Sequence, residues 1–109
     1  MSDTARKVLS AYTDYISSLA GVLEIYLFGS FATGKTHDNS DIDLLVVIED
    51  KLDAIKMAFI INKGILKREI PLDILVNRKT DFDEASVENT LQRIVKNEGM
   101  LIYEAKYSQ

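Results

Sequence analysis

The segment Ile42–Ile48, IDLLVVI, constrains the fold more than any other part of the chain, because a single acidic residue, Asp43, interrupts an otherwise apolar run. The run is too short for a typical helix and is rich in β-branched residues, so it reads as a buried strand. Leu23 to Phe28 has the same branched and aromatic character and reads as a strand before it. Ile70 to Val76, IPLDILV, reads as a third, entered through Pro71 at the end where a missing N–H does least harm. Apolar residues at Val8, Leu9, Tyr12, Ile16 and Leu19 give residues 3–19 the period of an amphipathic helix, with Ser2 or Thr4 as its cap and Gly21 closing it.

Asp50 to Leu66 is also helical in period. Its apolar sector spreads over Leu52, Ile55, Met57, Ala58, Phe59, Ile60, Ile61 and Ile65, wider than one stripe, so the helix is expected to be sandwiched or covered by a partner. Asp81-x-x-Glu84 offers a capping box for a last helix with Val87, Leu91, Ile94 and Val95 on one face and Gly99 as its stop. Met100 to Tyr103 reads as a short terminal strand. The expected fold class is α/β, a small mixed β-sheet flanked by helices, forming one domain over residues 1–109.

Between the first two strands lies a stretch with two incompatible signatures. Gly29-Ser30-Phe31-Ala32-Thr33-Gly34-Lys35-Thr36 matches the P-loop pattern Gly-x-x-x-x-Gly-Lys-Ser/Thr. In a P-loop, however, the Lys and Ser/Thr open a long helix that crosses over to a parallel strand. Here Thr36 is followed by the turn formers His37, Asp38, Asn39 and Ser40, and the next strand begins almost at once. A parallel connection needs a dozen or more residues, so the P-loop match is read as coincidence.

The competing signature is Gly29-Ser30, ten residues, then Asp41-x-Asp43. Two residues apart at the mouth of a strand, Asp41 and Asp43 leave the same face about 6.5 Å apart, the geometry for sharing divalent ions. Taken alone, the pair reads equally well as an acidic turn. Asp73 changes the balance: an ionised carboxylate inside an apolar strand costs several kcal/mol unless a cation or hydrogen-bonding partner receives it. Gly29 lets backbone approach a ligand closely, and Ser30 supplies a hydroxyl and an amide.

These linked residues resemble the polymerase-beta-type nucleotidyltransferase superfamily, and within it the minimal nucleotidyltransferases. The likeness extends over nearly the whole chain, including SDIDLLV at Ser40 to Val46 and NEGMLIYE at Asn97 to Glu104. The resemblance implies a nucleotidyltransferase fold and transfer of AMP from ATP with loss of pyrophosphate. It implies two magnesium ions held by Asp41, Asp43 and Asp73, with Asp73 also helping to deprotonate the acceptor hydroxyl. Gly29 and Ser30 would hold the outer phosphates, with Ser40 and Lys35 as further nucleotide-binding candidates. Lys35 reads otherwise as a solvated loop residue, and the lone histidine, His37, as surface.

Minimal members are commonly paired with an all-helical HEPN toxin ribonuclease that they neutralise by adenylylating a tyrosine, which would make this chain an antitoxin acting on a partner protein. One departure from the family pattern is Thr33, where many members carry Arg. It motivates an alternative, a catalytically weak binding module that masks a partner through the apolar helix 50–66. A second alternative is a small-molecule, antibiotic-modifying nucleotidyltransferase.

Composition narrows the partners further. The 17 acidic and 13 basic residues leave a net charge of −4, with the basic ones scattered, so tight nucleic-acid binding is not expected. The chain has no cysteine, which removes disulfides and thiolate metal sites. No signal-peptide pattern or membrane-length apolar run is present, and a cytoplasmic setting is expected.

Overall fold

In a computed structural model, residues 1–37 and 39–106 are described. Asp38, in the expected turn, lies outside them. Helices and strands alternate as α1 (Asp3–Ser17), β1 (Val22–Phe28), α2 (Ser30–Thr33), β2 (Ile42–Ile48), α3 (Ala54–Gly64), β3 (Leu72–Arg78), α4 (Lys79–Ala85), α5 (Leu91–Glu98) and β4 (Met100–Glu104). The strands form one mixed sheet in the order β3-β2-β1-β4. β1 runs antiparallel to β2 and β4, while β2 and β3 are parallel and are joined through α3.

The buried run that dominated the sequence is central. Its even positions, Ile42, Leu44, Val46 and Ile48, enter the larger core with Val8, Tyr12 and Ile16 of α1 and Met57 and Ile61 of α3. Its odd positions, Leu45 and Val47, enter a smaller cluster on the other face with Tyr26, Phe82 of α4 and Val95 of α5. Period-two alternation thus places a helical layer on each side of the sheet. Phe82 is fully buried, and its ring lies 5.3 Å from that of Tyr26. Phe82→Ala is expected to cost about 3–5 kcal/mol, read as a lowered urea midpoint, because it empties the centre of the smaller cluster.

Capping explains the helix starts. The Ser2 hydroxyl accepts from the Ala5 N–H at 3.1 Å and opens α1. Asp53 accepts from the Ile55 and Lys56 N–H groups at 2.9 and 3.1 Å, so α3 begins at Ala54, later than the Asp50 start that periodicity suggests. Asp50 is used elsewhere: its carboxylate receives both the N–H and the hydroxyl of Thr80 and ties the end of β2 to α4.

The expected single last helix is two. The Asp81/Glu84 capping box does not form, because α4 already begins at Lys79 and the Asp81 carboxylate pairs with Arg78 Nε at 2.9 Å. α4 ends where the Ser86 hydroxyl donates to the Asp83 carbonyl, and α5 is opened separately by Thr90, whose hydroxyl accepts from the Arg93 N–H. Val87, expected on the buried face, is 74% exposed in the break. α3 is not sandwiched: Met57 and Ile61 are buried, whereas Ile55 is 84% and Phe59 66% exposed. Among the described residues, no helix is long and apolar enough to cross a membrane.

Candidate functional site

The turn after β1 settles the competition between the two signatures. β1 and β2 are antiparallel, so there is no crossover for a P-loop helix to make. Gly34, with φ of 78°, ends α2, and Lys35 follows that end instead of opening a helix. Lys35 is exposed and forms no ion pair among the described residues.

Strand register brings two of the aspartates to one face. Asp43 and Asp73 are direct partners in the parallel β2–β3 ladder, and register partners in a sheet project to the same side. Asp41 lies just before β2, two residues from Asp43, and its charge is felt by the Asp43 carboxyl. The Ile42 N–H donates to the Pro71 carbonyl at 2.8 Å and pins the mouths of the two strands together. The shared face is that of Leu45 and Val47, so the smaller apolar cluster lies below the carboxylates and leaves them at its rim. Asp41 and Asp43 are half-buried and Asp73 is exposed.

Burial, and after it the Asp73 and Asp41 carboxylates, push the Asp43 carboxyl above its ordinary value. Among the described residues none of the three forms an ion pair with Lys, Arg or His, so their mutual repulsion stands unrelieved by the chain. Three hard oxygen donors with excess negative charge suit a magnesium-type cation. Among the described residues, no three His, Asp or Glu side chains stand close enough together to hold a metal ion. What the backbone fixes is the register that pairs Asp43 with Asp73 on one face.

Gly29 faces this group directly. It is the β1-side neighbour of the Phe28–Asp43 pair, and its backbone, at φ 73° and ψ −155°, is in a region essentially reserved for glycine. A Cβ at this position would lie 2.2 Å from Asp43 Oδ2. The dihedral angles require the glycine, and a methyl here would in addition push the Asp43 carboxylate aside. Ser30, half-buried, begins α2, whose first ladder bonds run from the Ala32 and Thr33 N–H groups to the Gly29 carbonyl. The N–H groups of Ser30 and Phe31 precede that ladder. The Thr33 hydroxyl is occupied with the Ser30 carbonyl at 3.3 Å.

The other candidates sit differently. Ser40 is buried, and its hydroxyl accepts from the His37 N–H at 2.8 Å, which fastens the loop entering β2. It borders a cleft of about 330 Å³ shared with Phe31, Ile70 and the start of α1. His37 is exposed, and its Nδ1 accepts from the Asn39 N–H.

A second cleft, of about 290 Å³, runs from Phe28 and Gly29 along α2 to Leu91, Ile94 and Glu98 of α5. Sequence reasoning did not connect these residues. Phe28 reads as the end of a strand and Leu91 and Ile94 as core, and some sixty positions separate the two walls.

Residues 9–100 match the family model described as a nucleotidyltransferase domain. None of the curated proteins compared matches the chain. Among solved structures, it is similar to a candidate nucleotidyltransferase from Sulfolobus solfataricus, with 23% identity and a TM-score of 0.63 over 90% of this chain and 78% of the other. It is also similar to a toxin–antitoxin structure with AMP-PNP, at 19% identity and a TM-score of 0.50 over 92% and 73% of the two chains. A third is the MntA–HpeT toxin–antitoxin pair in a form with two aspartates changed to glutamate, at 18% identity and a TM-score of 0.51 over 90% and 71%.

Proposed function

Because the chain belongs to the nucleotidyltransferase domain family, we propose that it transfers AMP from ATP to a hydroxyl of a partner protein, in the manner of a minimal nucleotidyltransferase antitoxin acting on an all-helical HEPN toxin in the cytoplasm. The observation that carries this reading is the register pairing of Asp43 with Asp73, with the Asp41 carboxylate acting on Asp43 from the residue before the strand. Members of such a family act on nucleoside triphosphates with a divalent metal. Asp41, Asp43 and Asp73 would hold two magnesium ions, which when bound neutralise phosphate charge and orient the reacting phosphorus.

The chain's own residues divide the remaining work. Gly29 gives the triphosphate close access beside Asp43, and the Ser30 hydroxyl and amide donate to its outer oxygens. Asp73, the most exposed of the three carboxylates and on the edge strand, is where an acceptor hydroxyl can approach and give up its proton. Lys35 remains a candidate phosphate contact. For Ser40 the favoured role is indirect: it holds the loop that delivers Asp41.

A protein acceptor and a toxin partner are supported by the toxin–antitoxin likenesses, one of which was solved with an ATP analogue. Incubation with ATP, magnesium and the product of the adjacent gene, followed by intact-mass measurement, is expected to show the partner gaining one or more AMP units. A folded partner of unchanged mass would count against the proposal. The exposed Ile55 and Phe59 of α3 favour a second reading, in which the chain neutralises a partner by masking it. An Asp41→Asn/Asp43→Asn double variant that still neutralises the partner would select that reading, and AMP transfer to an aminoglycoside without any protein would select small-molecule modification.

A further inference from the structure

We infer that Tyr12 and Arg68 are positioning residues for Asp73: together they fix the stretch of chain from which β3 delivers that carboxylate to the side of Asp43. The inference rests on the proposed site, in which Asp73 works with Asp43. The two aspartates are held very differently. Asp43 lies on β2, which is paired on both sides, by β1 and by β3. Asp73 is the second residue of an edge strand with a ladder on one side only. It is exposed, and the residue that leads into its strand, Pro71, has no N–H to give. The end of an edge strand entered in this way frays unless other groups hold it.

Three successive carbonyls supply the hold. The Ile70 carbonyl accepts from the Tyr12 hydroxyl of α1, 58 residues away in sequence. The Pro71 carbonyl accepts from the Ile42 N–H of β2 at 2.8 Å. The Leu72 carbonyl accepts from Arg68 Nη1 at 3.4 Å. The donors come from α1, from β2 and from the loop after α3, so the chain directly before Asp73 is tied to three separate elements.

The two side-chain donors are themselves anchored. Tyr12 is 3% exposed and packs in the larger core with Val8 and Ile16, on the side of the sheet away from Asp43 and Asp73. Its effect on Asp73 therefore passes through the backbone of Ile70 to Leu72. Arg68 also donates from Nε to the Ile65 carbonyl at 3.1 Å and from Nη2 to Asn62 Oδ1 at 2.9 Å. One guanidinium thus joins the end of α3 to the start of β3, a task for which its planar fork of donors is suited. A carboxylate that burial does not hold depends on such outer partners for its place, and their loss commonly costs 10–100-fold in metal affinity or activity.

ATP titrations by calorimetry at stepped magnesium concentrations read the site without an acceptor. Tyr12→Phe keeps the ring and removes the donor. It is expected to raise the magnesium concentration needed for ATP binding by about tenfold. Arg68→Met, which keeps the stem and removes the fork, is expected to act in the same direction. Tyr15→Phe is the control for a general effect on α1, since that hydroxyl is turned to the Ile60 carbonyl of α3 at 3.5 Å. Its magnesium requirement is expected to stay within about twofold of wild type. In an Asp73→Asn background Tyr12→Phe is expected to add nothing, because the group it positions is gone. An unchanged requirement in folded Tyr12→Phe, an equal rise in Tyr15→Phe, or a loss that persists in the Asp73→Asn background would overturn the inference. If Tyr12→Phe does not fold, Arg68→Met makes the same test from the other side of the segment, alone and with Asp73→Asn. Wild-type protein that binds ATP equally with and without magnesium would overturn the proposed metal-dependent site, and the positioning role with it.

Discussion

Replacing Asp43 by Asn is expected to lower nucleotidyl transfer by about 10³-fold or more, through loss of a charged ligand at the reacting phosphate, and at the same time to raise the melting temperature of the metal-free protein. The second effect follows from the electrostatics of the carboxylate face. Burial, then Asp73 and Asp41, hold the Asp43 carboxyl above its ordinary value in the folded state. A carboxyl with a raised folded-state pKa binds its proton more tightly in the native than in the unfolded chain. Its contribution to stability is therefore most favourable at low pH and is lost as pH rises from the unfolded pKa through the folded one. At neutral pH the ionised group opposes folding, and an uncharged amide of the same shape removes that opposition. Thermal melts in EDTA should show Asp43→Asn several degrees above wild type at pH 7, with the gap closing toward acid. A variant less stable than wild type at pH 7 would mean that the carboxylate is compensated in the absence of metal.

Gly29→Ala is expected to disable the site by a different route, lowering transfer by about 10²-fold or more and destabilising the fold by about 1–3 kcal/mol. The added methyl meets Asp43 Oδ2 at 2.2 Å, and the backbone at φ 73° and ψ −155° is one that an alanine rarely adopts. The clash displaces the carboxylate of Asp43, the residue proposed to hold metal. Gly34→Ala is the matched control. Gly34 also has a positive φ, of 78°, but nothing lies within 4 Å of the place its methyl would take, so a cost of about 1–2 kcal/mol with transfer unchanged is expected. Equal activity losses in the two variants would show that strain in the turn, and not the Asp43 contact, is what matters.

The contrast between these glycines shows what the chain makes legible in one dimension. Gly29, Asp43 and Asp73 stand out because each breaks a local pattern, a glycine at a strand end or a charge inside an apolar run, and Ser30 and Asp41 are legible through their spacing to them. β2 is legible at its observed bounds because every residue of Ile42–Ile48 except Asp43 is apolar and it is packed on both faces. The bounds of α3 are less so, since Asp50 and Asp53 are both acceptable caps and only the tertiary bond from Asp50 to Thr80 decides between them. The break between α4 and α5 is hidden for a related reason. Val87, Leu91 and Ile94 keep helical spacing across it, while Thr90 ends one ladder through the Ala85 carbonyl and begins the next through the Arg93 N–H. Residues that line a cleft from distant segments, such as Phe28 and Ile94, break no local pattern and become visible only when the sheet brings their elements together.

Asp41, Asp43 and Asp73 are expected to act as one metal-dependent triphosphate site. Three carboxylates that repel one another favour a divalent cation, and the cation in turn favours a triphosphate, so the two ligands should bind cooperatively to the native state. The direct measurement is the melting temperature with ATP alone, magnesium alone and both together, in wild type and Asp73→Asn. Little change with either ligand alone, a rise of several degrees with both, and loss of most of that synergy in Asp73→Asn are predicted. Equal stabilisation by ATP with and without magnesium, unchanged in the Asp73 variant, would mean that the three carboxylates do not form one site.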